Sequence, residues 1–122
     1  MLDKLIIVMA NTDPGNAAEA AAPLFQATVA AAKGYTVDVI LTGRTSQLVK
    51  RGYADSINIE EGASKTIYDL IKEAVTAGVN FKLCTPTHGI SGKEVIPEIN
   101  ETVGAAHIIS EAMSGETITF TY

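Results

Sequence analysis

The sequence predicts an α/β fold, a mainly parallel sheet of five strands with helices on both faces. Three observations predict it. Strand-like and helix-like segments alternate along the chain with short connections. The first of them, Lys4 to Ala10, is a near-continuous apolar run rich in branched residues, as a strand buried on both faces requires. The segment after Ser64 places Ile67, Leu70, Ile71, Ala74 and Val75 at i, i+3, i+4, i+7 and i+8, the stripe of a helix that covers a sheet.

The elements follow in order. After the first strand, Asp13 suits a helix cap and Pro14 the first helical position, where its missing N–H has no partner to lose. An alanine-rich helix is expected from about Pro14 to Lys33, closed by Gly34 and kinked or broken at Pro23. Tyr35 to Thr42 is the second strand, and Gly43-Arg44-Thr45-Ser46 opens a short helical segment reaching about Arg51. Ile57 to Ile59 is a brief extended piece. Ser64 is expected to cap the amphipathic helix, which Gly78 closes. Val79 to Cys84 is the third strand. Ser91 and Glu94 have capping-box spacing at the start of a helix that Pro97 stops. A weak fourth strand is expected over Glu98 to Val103, a helix over Gly104 to Met113, and a terminal strand over Glu116 to Tyr122. In the last helix Ala105, Ile108, Ile109 and Ala112 form the apolar face, with His107 and Glu111 on the polar side as a surface pair.

Composition bounds the function. The length of 122 residues fits a single domain over 1–122. With 9 basic and 14 acidic residues, the net charge of -5 leaves no basic stripe to neutralise phosphates, so a nucleic-acid partner is not expected. One cysteine forms no internal disulfide, and the apolar run near Met1 is too short for a signal core. The alanine-rich stretch is interrupted by Glu19, Pro23 and Gln26, which spoils it as a membrane span. A cytoplasmic location is the expectation. Two histidines and one cysteine at scattered spacing match no zinc pattern, and no Gly-rich phosphate loop is present, so neither a metal nor a cofactor is expected.

Chemistry centres on Cys84, the single cysteine, at the end of the third strand and just before Thr85-Pro86-Thr87-His88-Gly89. Sites in open parallel sheets form beyond the carboxyl ends of the strands. Three loops gather there: Asn11 to Gly15, Thr42 to Thr45, and Cys84 to Gly92. A thiol becomes a nucleophile when a cation, a donor or a helix N-terminus stabilises its thiolate. His88, Ser91 and Lys93 are candidates for that role, and Asn11, Asp13 and Arg44 are candidates to line a pocket on the neighbouring loops. The alternative is that Cys84 fills space like a small hydrophobe, Asn11 and Asp13 serve only the turn, and His88 is a solvated loop residue.

The order of elements and several fragments are familiar: Asp13-Pro14 before an alanine-rich helix, Val37 to Gly43, a strand ending in Cys84 with Gly89-Ile90 after it, Val103-Gly104-Ala105-Ala106, and a final Thr117 to Phe120 strand. Together they resemble the DsrE/DsrF-like (YchN-like) family, which includes the TusD-type sulfur relay subunits. The resemblance implies a flavodoxin-like three-layer sandwich, assembly into homotrimers or homohexamers, and cytoplasmic sulfur trafficking. It also implies a persulfide on Cys84. Many relatives have a second cysteine a few residues on, where this chain has Thr87 and His88. A lone thiol would have to pass its sulfur to a partner protein or a small thiol. Two functions are weighed: a sulfur carrier or sulfurtransferase, and a non-catalytic oligomeric module that binds a small ligand in the same loop pocket, with Cys84 as its lining.

Overall fold

A computed structural model describes residues 3–84 and 95–122, apart from the side chain of Asn100. The expected Ser91–Glu94 helix start lies outside the described residues, as do His88, Ser91 and Lys93. The elements are β1 (Lys4–Met9), α1 (Ala17–Ala32), β2 (Thr36–Leu41), a 3-10 helix (Gly43–Val49), a 3-10 turn (Ala54–Ser56), α2 (Ile67–Ala77), β3 (Asn80–Cys84), β4 (Ile99–Val103), α3 (Ala105–Ala112) and β5 (Thr117–Thr121). The five strands form one sheet in the order β4-β3-β2-β1-β5, with every pair parallel. This is a flavodoxin-like sandwich.

Winding direction explains the two layers of helices. The steps β1 to β2 and β2 to β3 move one way across the sheet, so right-handed crossovers put α1 and α2 on the same face. The step from β4 to β5 runs back across the whole sheet and must use the other face, where α3 lies. Alternation along the strands then sorts the side chains. Leu5, Ile7 and Met9, Val37, Val39 and Leu41, and Phe81 and Leu83 turn toward α1 and α2 and form the main core with Ala20, Leu24, Ala27, Ile67, Leu70, Ile71 and Ala74. Fully burying one such Leu, Ile or Phe side chain contributes about 1.5–3 kcal/mol. Among the described residues the opposite face has a much smaller apolar cluster, Ile6, Ile40 and Val103, with Val8, Cys84 and Ile108 against it.

Three local expectations are corrected. Asn16, not Asp13, caps α1: its side chain accepts from the Glu19 amide at 3.2 Å, while Asp13 accepts from the Gly15 amide at 3.0 Å and builds the preceding turn. The helix also runs unbroken through Pro23, which is buried between Ala20, Leu24 and Ala27 on the sheet side. Thr66, not Ser64, caps α2, in a reciprocal box with Asp69. The reason is long-range: an antiparallel bridge from Asn58 to Thr66 fixes Thr66 in an extended conformation, the backbone a cap needs. Gly78 closes α2 at φ 112°, a left-handed position that favours glycine.

Candidate functional site at the end of strand β3

Cys84 is the last residue of β3 and lies opposite Val103 of β4. It is half-buried and forms no disulfide. Its row lies one step beyond Met9, Leu41 and Leu83, which are level with each other across β1, β2 and β3. The side chain points to the α3 face, onto the Ile6–Ile40–Val103 cluster. β3 lies between two strands whose exits diverge. β2 leads into the Gly43–Val49 helix, whose Leu48 and Val49 join the α1/α2 core, whereas β4 leads through Gly104 into α3 on the other face. In open parallel sheets ligands usually bind at the carboxyl edge where such connections diverge.

The neighbouring loops are held by specific bonds. Thr45 is fully buried, and its single hydroxyl proton is shared between the Met9 carbonyl and, at 2.8 Å, the Thr42 carbonyl, so it ties the ends of β1 and β2 together. A Cβ on Gly43 would lie 3.2 Å from the Ala10 carbonyl oxygen, and Gly43 has φ 59°, so the close approach of these loops calls for glycine. Arg44 and Asp13 meet in an exposed ion pair at 3.6 Å. Exposed Asn11 lines a shallow depression with Thr12, Glu19, Ala22 and Tyr122 on the α1 side. The structure thus brings Asp13 and Arg44 together but sets Asn11 toward α1, while Cys84 points to the other face.

Sequence reasoning missed a charged network under α3. Lys4, Asp38 and Lys82 occupy the same side of β1, β2 and β3 as Cys84. The Lys82 ammonium has three protons and three acceptors within reach: Asp38 Oδ2 at 3.0 Å, Glu101 Oε1 at 3.3 Å and His107 Nε2 at 3.1 Å. An ammonium only donates, so Nε2 is the acceptor in the His107 contact. Glu101 reaches this position because the β3–β4 register slips by one residue between Phe81 and Lys82, which pairs Lys82 with Glu101. Lys4 bridges Asp38 at 3.3 Å and Glu111 at 2.5 Å.

Burial alone would raise the Asp38 carboxyl, but the hydrogen bond and charge of Lys82, aided by Lys4, overcome it and hold the group below its ordinary value. Burial likewise opposes the charged forms of Lys82 and Lys4. Asp38 with Glu101 for the first, and Glu111 with Asp38 for the second, raise both ammoniums above their ordinary value. The bond from Lys4 lowers Glu111. The expected surface pairing of His107 with Glu111 is corrected accordingly. Both residues face the sheet, while Ile109, assigned to the apolar face, is 63% exposed and turned outward. A readable signal existed in the charges at Lys4, Asp38 and Lys82 within otherwise apolar strands.

The profile of the DsrE/DsrF-like family matches residues 4–120. The chain belongs to the DsrE/DsrF-like family. No curated protein matches the sequence significantly. In this DsrE/DsrF-like chain, no helix among the described residues is long and apolar enough to cross a membrane. Cys84, at the carboxyl end of β3, shares its face of the sheet with the buried ionic network of Lys4, Asp38 and Lys82.

Proposed function

We propose that the protein is a sulfur carrier of the cytoplasm, with Cys84 as the catalytic residue. The observation that carries this reading is the half-buried thiol at the carboxyl end of β3 in a DsrE/DsrF-like chain. In the loading step the Cys84 thiolate attacks the outer sulfur of a donor persulfide, R–S–SH. The donor S–S bond breaks, RS⁻ leaves, and Cys84–S–SH forms. In the unloading step an acceptor thiolate attacks that outer sulfur and Cys84 leaves as its thiolate. Each step exchanges one S–S bond for another, so no external oxidant or reductant is consumed.

His88, Ser91 and Lys93 are assigned to stabilising the anion through charge and hydrogen bonds. Asn11, Asp13 and Arg44 are assigned to the rim that meets a donor or acceptor. A lone thiol has no neighbouring cysteine in the chain to resolve the persulfide, so the partners are a separate donor and acceptor, proteins or small thiols. The resemblance to a family that includes TusD-type relay subunits supports reading the assembly as a homotrimer or homohexamer. A second reading is favoured by the apolar setting of Cys84 against Ile6, Ile40 and Val103, which would suit the lining of a small-ligand pocket. Intact mass spectrometry after incubation with a small-molecule persulfide separates the two. The carrier gains one sulfur, ~32 Da, that a Cys84→Ser variant does not. A wild-type chain that stays unmodified while an alkylating agent reaches Cys84 would leave only the ligand-binding reading.

A further inference from the structure

Helix α1 is apolar nearly all round. Among its sixteen residues Glu19 is the only charged one. Its inner side is buried against the sheet through Ala20, Ala21, Leu24 and Ala27, as the fold requires. The outer side is apolar as well: Ala18, Ala22 and Ala32 are exposed, Phe25 is 50% exposed and Val29 54%. A helix of this kind is ordinarily enclosed, because a helix at a water boundary has a polar face opposite its core stripe. The apolar surface continues past α1 onto Tyr35 and onto Ile118 and Phe120 of β5, the strand at the sheet edge.

The charges at the two ends of this stripe indicate what covers it. Glu19 lies seven residues before Gln26, and Lys33, the C-cap, lies seven after it. Both are exposed. If a second α1 packs antiparallel across a two-fold axis at Gln26, each Glu19 meets the other chain's Lys33, about 10 Å along the helix on either side of the axis. The same symmetry sets Ala22 opposite Ala30, and small residues there allow the helices to approach closely while Phe25 and Val29 fill the flanking space. A parallel arrangement would place like charges together at both ends.

We propose that the outer face of α1, with Tyr35 and Phe120 beside it, is a two-fold interface that binds a second copy of this chain. The proposal rests on the homo-oligomer reading given above and assigns it a surface. It requires an even number of chains, a dimer or a hexamer built from two trimers.

The test is the solution mass by light scattering and sedimentation, with far-UV melting as the fold control, on wild type, Val29→Glu, Lys33→Glu and the charge exchange Glu19→Lys with Lys33→Glu. The chain mass is 12.8 kDa, so the species are well separated. Wild type is expected as an even-numbered species. Val29→Glu is expected to halve its mass at an unchanged melting temperature. Lys33→Glu should weaken association about tenfold, since it removes two symmetric exposed ion pairs, and the charge exchange should restore it. A trimer, or an even-numbered assembly indifferent to both Val29→Glu and Lys33→Glu, would overturn this surface while leaving the oligomer reading intact. A wild-type monomer would overturn both.

Discussion

Phe81 and Lys82 are neighbours in β3, yet they point to opposite faces of the sheet and into opposite kinds of surroundings. Phe81 is wholly buried in an apolar core shared with α1 and α2. Lys82, almost as buried, is surrounded by Asp38, Glu101 and His107 under α3. The first face is held by area removed from water, which is insensitive to pH and tolerant of shape-conserving exchange. The second is held by charges that are costly to desolvate and useful only as a complete set. Cys84 belongs to the second face. The α1/α2 side is a scaffold, whereas the half-buried thiol shares its face with a small apolar cluster and with fixed polar groups.

The largest effects should come from the two neighbours themselves. Phe81→Ala is expected to cost about 3–5 kcal/mol through lost burial and the cavity it leaves. Lys82→Ala is expected to cost a similar amount, about 3–5 kcal/mol, because it leaves a buried carboxylate short of its main partner. The faces differ in rescue. Asp38→Leu combined with Lys82→Met should recover to within about 1 kcal/mol of wild type, since a buried pair is often replaceable by apolar groups of similar volume. Urea unfolding of the single and double variants measures this. A double variant as unstable as either single would mean the network does more than offset its own desolvation.

The second contrast is pH. Asp38 titrates below its ordinary 3.8 when folded, so its contribution is fully present above 3.8 and is lost as pH falls through the folded value. Lys4 and Lys82 titrate above their ordinary 10.5 when folded, so theirs are fully present below 10.5 and are lost as pH rises through the folded values. Urea midpoints should therefore fall at both extremes, and the Asp38→Leu/Lys82→Met variant should lose less than wild type at each. Equal losses in the two proteins would place the pH dependence elsewhere.

Smaller effects fall at the helix start and the loop. Asn16→Ala removes the cap of α1 and should cost about 1 kcal/mol in thermal unfolding. Asp13→Asn weakens the exposed pair with Arg44 and should change stability by less than about 0.5 kcal/mol. A larger loss there would mean that this loop is tied more firmly than its exposure suggests.

These contrasts also show what the sequence made readable. The strands, their order of appearance and the parallel arrangement followed from apolar runs and short connections. Cys84 was placed on the carboxyl edge by the same pattern. The capping roles of Asn16 and Thr66 were obscured because each depends on a partner outside simple spacing: Asp13 builds the turn before Asn16, and Asn58 fixes Thr66. The orientation of α3 was offset for a related reason: Ile108 packs on the sheet as expected, but His107 and Glu111 turn in beside it and Ile109 turns out. Helical periodicity gives the stripes of a helix but not the rotation at which they meet the sheet. A sheet carrying Lys4, Asp38 and Lys82 draws in His107 and Glu111.

Sulfur carriage by Cys84 is tested most directly by a loading and unloading cycle followed by intact mass. Wild type is treated with a small-molecule persulfide, freed of the donor, and then given an excess small thiol. The account predicts a gain of ~32 Da, its complete loss on adding the thiol, and return of one titratable thiol per chain. A wild-type chain that never gains the sulfur, or that gains it equally when Cys84 is replaced by serine, would contradict it.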